Sequence, residues 1–157
     1  MNHHTTPAVL FVCLGNICRS PLAEAAFRMA AKDAGLAVKT DSAGTGDWHV
    51  GKQPDRRARA VALRFGADIS AYRARQVSRE DFSRFSHIFA LDHENLANLR
   101  HMAPATATAQ LSLLLDCVPG REGQAVADPY FGGEAEFEAA WRDVASATEA
   151  LVARLLQ

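Results

Sequence analysis

Cysteine is scarce in this chain, with three among 157 residues. So small and odd a number excludes a disulfide framework and points to a reducing compartment, where each thiol needs its own explanation. Long apolar runs are missing too. Nothing approaches the roughly 20 consecutive apolar residues that span a bilayer, and the opening MNHHTTPAVLFV lacks a basic start, a long apolar run and a small-residue cleavage site. A cytoplasmic protein with no membrane partner is expected, with export left open. Excess charge of either sign is also absent, since 17 basic and 18 acidic residues leave a formal net charge of -1. No global field therefore draws the protein to nucleic acid, and any anion site must be local. The six histidines show no metal-ligand spacing, and the adjacent His3 and His4 read as a solvated terminus. No metal and no other cofactor is expected. With no internal repeat or linker, and with 48% hydrophobic composition, the chain reads as a single domain over residues 1–157.

What is present is an alternation of strands and helices. AVLFVC at 8–13 is apolar without polar interruption, as a parallel strand buried on both faces should be. The loop LGNICRS follows, then PLAEAAFRMAAKDAG, in which Ser20 can cap a helix, Pro21 suits its first position and Gly35 can end it. Further strands are expected at 37–42, 87–91 and 109–115, with helices from Pro54 to Phe65 and over DHENLANLRHM. RRARA at 56–60 reads as a solvated helix face. Phe137, Trp141, Val144, Thr148, Leu151 and Leu155 recur at spacings of four and three, one apolar stripe of a long closing helix. The implied fold is α/β, a three-layer sandwich of a four-stranded parallel sheet with helices on both faces. Ligands in such sheets bind beyond the carboxyl ends of the strands, where the loop after Cys13 lies.

That loop, CLGNICRS at 13–20, places a cysteine at a strand end, an arginine six residues on and a serine at a helix start. The backbone N–H groups of Leu14, Gly15, Asn16, Ile17, Cys18 and Arg19 can converge on one centre and form a nest for a tetrahedral dianion such as phosphate. Gly15 relieves the backbone there. The Arg19 guanidinium offers a planar fork for two phosphate oxygens, a geometry lysine does not reproduce. The same donors, with the Ser20 hydroxyl, favour a thiolate nucleophile at Cys13. Asp128, before Pro129, reads from its own residues either as a turn former or as an acid on a mobile loop that protonates a leaving oxygen.

On these residues the chain resembles the low-molecular-weight protein tyrosine phosphatases, nearly end to end. The similarity rests on VCLGNICRSP at 12–21, DSAGTGDWHVG at 41–51, ARQVSREDF at 74–82, LDHEN at 91–95 and DPYFG at 128–132. It implies hydrolysis of phosphotyrosine in proteins, and of small aryl phosphates, by a metal-independent monomer through a phosphocysteine at Cys13. Arg19 is then the phosphate clamp and Asp128 the general acid and base. Inorganic phosphate and other oxyanions should inhibit. Asn16 and Ser42 match positions that brace the phosphate loop together with Ser20, and Trp48, Tyr130 and Phe131 match the aromatic wall that selects the long tyrosyl ester. Ile17 resembles the tyrosine-directed branch, where a phosphoarginine-directed branch has threonine. Cys18 matches a thiol that can form a reversible disulfide with the nucleophile; on its own it reads equally as a small buried hydrophobe. One departure is Tyr72, where the family commonly has histidine supporting Asn16 and Ser42; its hydroxyl is expected to be able to donate instead. Cys117 has no partner in these motifs and is expected to be inert or exposed. The alternatives are an arsenate reductase on the same fold, which would need more downstream cysteines than Cys117, a phosphoarginine phosphatase, or a phosphotyrosine-binding module without turnover.

Overall fold

The computed structural model describes residues 6–157, so His3 and His4 lie outside the described residues. The strands β1 (Ala8–Cys13), β2 (Lys39–Gly44), β3 (His87–Ala90) and β4 (Gln110–Leu113) form one parallel sheet in the order β2-β1-β3-β4. The helices are α1 (Arg19–Asp33), α2 (Arg56–Arg64), α3 (Asp81–Arg84), α4 (His93–Met102) and α5 (Glu134–Leu155), with a short 3-10 turn at Leu114–Cys117. β1 is central, paired with β2 on one side and β3 on the other, and Val9 to Val12 are fully buried. Its uninterrupted apolar run is thereby explained. Val9 and Phe11 face a core built with α1, α2 and α5, while Leu10 and Val12 face a second one with Phe82, Leu96 and Leu99. Phe11 meets Phe27 edge-on at 5.5 Å and stacks with Phe89 at 6.1 Å between ring centroids. Burying each such ring contributes roughly 1.5–3 kcal/mol.

The element boundaries depart from the sequence expectation in physically readable ways. β2 runs two residues later than 37–42, because Ala43 and Gly44 still pair with Val12 and Cys13. β4 stops at Leu113, and Leu114 and Leu115, expected to continue it, enter the 3-10 turn with their side chains in the core. Helix α1 starts at Arg19, with Cys18 at the N-cap and no side-chain cap; Ser20 is inside the first turn, its hydroxyl spent elsewhere. Gly35 ends the helix as expected: at φ +69° it donates to Lys32 O while Leu36 donates to Ala31 O. α2 is capped by Asp55, whose carboxylate accepts the Arg57 N–H. On α5 the stripe from Phe137 to Leu151 is buried, and Thr148 satisfies its hydroxyl on Val144 O at 2.7 Å. The RRARA face is only partly solvated, because Arg57 lies over the rings of Tyr130 and Phe137 and bonds Gly132 O. Cys117 is buried rather than exposed, and burial pushes its thiol up to about 11. No helix among the described residues is long and apolar enough to cross a membrane.

The short helix α3, absent from the sequence expectation, carries a carboxylate at the heart of an ion pair. Asp81 in its first turn is fully buried and binds Arg75 through both carboxylate oxygens, at 2.9 and 3.1 Å, while accepting the Ser78 N–H at 2.8 Å. Burial pushes its carboxyl up, but the bonds from Arg75 and Ser78 outweigh burial and hold it below the usual 3.8. A carboxylate with a lowered native pKa stabilises the fold above its ordinary value, and that contribution disappears as pH falls through the native one. Asp81→Asn should therefore destabilise the protein by about 1–3 kcal/mol at pH 7, a figure reduced because Arg75 is partly exposed and keeps Asp41. Urea denaturation at pH 7 and again near pH 3 should show the gap from wild type closing in acid.

Candidate active site

Cys13 is the last residue of β1 and is 4% exposed. The chain then turns through Leu14–Cys18 into α1, so thiol, loop and helix start face one cavity of about 260 Å³. Cys13, Leu14, Gly15, Ile17, Cys18, Arg19, Trp48, Asp128, Tyr130 and Phe131 all line it, together with His49, which the sequence did not single out. Among the described residues, the backbone N–H groups of Gly15, Asn16, Ile17 and Cys18 donate to no acceptor. Four free donors beside a thiol and a guanidinium make a strong anion site.

Asn16 faces the other way and fixes the loop. It is the non-glycine residue with positive φ (58°) among those described, a conformation that persists only when its surroundings impose it. Its Nδ2 donates to Ser20 Oγ at 2.8 Å and Ser42 Oγ at 3.0 Å, and its Oδ1 accepts the Arg75 N–H at 3.0 Å. Ser20 Oγ lies 3.0 Å from Cys13 Sγ and 3.5 Å from Ala43 O. Having accepted from Asn16, it has one proton to give, and the shorter contact is to sulfur. Ser42 donates to Glu24 Oε1 at 2.8 Å, and Arg28 donates twice to Glu24 Oε2. Burial pushes the Glu24 carboxyl up, opposed by the bonds from Arg28 and Ser42. The support expected of Tyr72 is supplied differently. No hydrogen bond joins its hydroxyl to Asn16 or Ser42; it borders the small polar pocket shared by Glu24, Asp41 and those two residues, and burial followed by the Glu24 charge raises it to about 12. Glu24, Arg75 and Asp81 thus brace the loop, and sequence reasoning missed all three. Arg75 and Asp81 lie within the ARQVSREDF motif and Glu24 just beyond VCLGNICRSP, but only the tertiary fold brings Glu24 to Ser42 and Arg75 to Asn16.

Gly44 is the close-approach position. A Cβ there would sit 2.7 Å from Leu14 O and 3.2 Å from Asn16 N, both backbone atoms of the loop. Gly44→Ala should push the loop away from β2, lowering stability by about 1–3 kcal/mol and weakening the binding of inorganic phosphate to the loop donors by about tenfold, measurable by thermal unfolding and titration calorimetry.

Arg19 is 3% exposed, and its direction is set by two acceptors at 2.8 Å, Val126 O and Asp92 Oδ2. Asp92 also caps α4 through the Asn95 N–H. Its position within LDHEN was visible in the sequence; its contact with Arg19 was not. Arg19 Nη2 stands 3.7 Å from Asp128 Oδ2. The Asp128 side chain is 48% exposed, its other oxygen accepting the Tyr130 N–H at 3.1 Å, so the carboxyl sits at the mouth of the cavity with solvent on one side. Trp48 (65% exposed), Tyr130 (41%) and Phe131 (96%) rim it as open aromatic surface. Cys18 is buried, and burial, then the Asp55 charge, raises its thiol far above its ordinary value. All three cysteines are free thiols.

A parallel sheet carrying a loop of free N–H donors, a thiol and an arginine at its carboxyl end defines an α/β protein shaped to hold a tetrahedral anion against sulfur. A family model described as low molecular weight phosphotyrosine protein phosphatase matches residues 8–157. The low molecular weight protein-tyrosine-phosphatase YfkJ of Bacillus subtilis is 46% identical over 131 residues, 82% of this chain and 84% of that protein. The crystal structure of YfkJ from Bacillus subtilis matches with a TM-score of 0.90 at 40% identity, over 99% of this chain and 98% of that one. That of DARP, a Drosophila arginine phosphatase, matches with a TM-score of 0.87 at 34% identity, over 93% and 96%. The chain belongs to the low molecular weight phosphotyrosine protein phosphatase family, and it is a hydrolase.

Proposed function

We propose that the protein hydrolyses phosphotyrosine in proteins, and small aryl phosphates, through a phosphocysteine intermediate. The observation that carries this is the convergence of the Cys13 thiol, the unpartnered N–H groups of Gly15–Cys18, the Arg19 guanidinium and the Asp128 carboxyl on one cavity. The phosphoryl oxygens take the loop donors and the Arg19 fork, which leaves the phosphorus facing Cys13 Sγ. The thiolate, steadied by the Ser20 hydroxyl, forms the S–P bond as the P–O bond to the tyrosyl oxygen breaks. Asp128 gives its proton to that oxygen, so a neutral phenol leaves. Water then enters where the phenol stood. Asp128, now a carboxylate, takes a proton from it, the O–P bond forms, the S–P bond breaks, and inorganic phosphate and the thiolate are restored. Because charge at phosphorus is met by N–H groups and Arg19, no step calls on a metal. Trp48, Tyr130 and Phe131 extend the cavity walls outward, which suits an ester whose phosphate stands at the end of an aromatic ring.

The test is para-nitrophenyl phosphate turnover with a metal chelator present, followed by acid quenching during turnover. Undiminished activity and a phosphoryl group recovered on Cys13 are expected; a chelator-sensitive rate, or labelling elsewhere, would sink the proposal. A phosphotyrosine peptide should be the better substrate than phosphoarginine, since Ile17 places alkyl surface in the cavity wall. The reverse order would move the protein to the arginine-directed activity named for the Drosophila structure.

Cys18 also lines this cavity, and we propose it as the resolving thiol. Peroxide would convert Cys13 to a sulfenic acid; Cys18 sulfur would then attack it, forming the disulfide and releasing water. Its raised pKa makes that attack slow at neutral pH and faster in alkali. In Cys18→Ser, thiol reductants should restore less than about a tenth of the activity lost to peroxide, against nearly full recovery for wild type.

A further inference from the structure

Trp48 lines the catalytic cavity and also borders a second depression of about 350 Å³, whose lining includes Leu14, Gly46 and Met102. Leu14 and Trp48 belong to both depressions, so the second is continuous with the catalytic cavity across the indole. Glu94, Asn98 and Met102 recur at four-residue intervals along α4 and present one stripe to it, with His101 beside them. The indole is held in place by the backbone beneath it: a Cβ on Gly46 would lie 1.8 Å from its Cζ3. An exposed tryptophan fixed between two hollows is a costly surface to leave in water and an effective one to cover.

We infer that this hollow is a subsite for an apolar side chain of the substrate polypeptide, within two residues of the phosphotyrosine. This rests on the proposed phosphotyrosine hydrolysis. With the phosphotyrosine ring against one face of Trp48, an extended substrate rises about 3.3 Å per residue, and a neighbouring side chain can cross the indole edge and lie between Trp48, Leu14 and Met102. Covering that surface requires nothing of the phosphoryl group. The gain is therefore the same in the ground and transition states, and it falls on KM and leaves kcat alone.

The experiment compares phosphotyrosine peptides carrying alanine, leucine or glutamate in turn at each of the four flanking positions, against para-nitrophenyl phosphate as the small substrate. For wild type, leucine at one flanking position should lower KM about tenfold relative to alanine with kcat unchanged. Met102→Glu and Asn98→Trp, the second filling the hollow from a half-buried position on α4, should each abolish that preference while para-nitrophenyl phosphate kinetics stay at the wild-type level. A flat peptide series for wild type, or a leucine preference that survives both variants, would overturn the subsite and leave the hydrolase reading standing. Absence of turnover on every phosphate ester would instead overturn the hydrolase reading. Should wild type dimerise and Met102→Glu be monomeric by sedimentation, the hollow belongs to a second copy of the chain and the subsite is wrong.

Discussion

Cys13→Ser should lose aryl phosphatase turnover by roughly 10⁴-fold or more while still binding inorganic phosphate. The two halves of that expectation come from different parts of the fold. On the proposed mechanism turnover needs an anionic nucleophile, and a serine hydroxyl in the same place has no adjacent base to deprotonate it. The hydrogen-bonding neighbour of Sγ is Ser20 Oγ at 3.0 Å, itself committed to Asn16, and neither can accept a proton usefully. Anion binding needs the N–H groups of Gly15–Cys18 and the Arg19 guanidinium, none of which the substitution touches. Titration calorimetry with phosphate, set beside initial rates, checks both. Retained turnover would place the nucleophile elsewhere, whereas lost phosphate binding would show that Cys13 holds the loop's shape.

The geometry of the loop was legible in the sequence because its parts are local. Cys13, Gly15, Arg19 and the start of α1 are joined by one strand end and one turn, and the short range of that geometry is what a spacing can encode. The parallel sheet was legible for a similar reason, since a strand buried on both faces must be apolar at every position, as Val9–Val12 are. What escaped were pairings that depend on the order of strands. Asp92 follows β3, and it reaches Arg19 because β3 lies directly beside β1. Glu24 reaches Ser42, and Arg75 reaches Asn16, because β2 flanks β1 on the other side. Those partners come from distant segments that no periodicity connects. Ser20 departs from expectation for the opposite reason: local rules favour a serine cap at a helix start, but here the hydroxyl is held by Asn16 and Cys13, so the tertiary site overrides the local preference. The missing family histidine at Tyr72 is explained on the same terms. Asn16 has three partners without it, in Ser20, Ser42 and the Arg75 N–H, and Glu24 is met by Arg28, so the loop's brace closes without a bond from the tyrosine to Asn16 or Ser42.

Asp128→Asn should slow hydrolysis by roughly 10²–10⁴-fold, and the size of the loss should depend on the leaving group. Asparagine keeps the shape of the side chain, and its oxygen can still accept the Tyr130 N–H, so the loop should stay where it is. What it cannot do is give up a proton. A phenol of ordinary acidity leaves badly as an anion, so phosphotyrosine should suffer the whole effect. An acidic phenol such as para-nitrophenol or a dinitrophenol needs less help, and its rate of cysteine phosphorylation should fall much less. Plotting log kcat/KM against leaving-group pKa should therefore give a nearly flat line for wild type and a steep one for the variant. A uniform drop across the series would mean something else: that Asp128 acts through its charge on Arg19, 3.7 Å away, by holding the guanidinium for phosphate, and is a positioning residue rather than the acid. The slope separates the two roles, because only a proton donor is sensitive to how much the departing oxygen needs a proton.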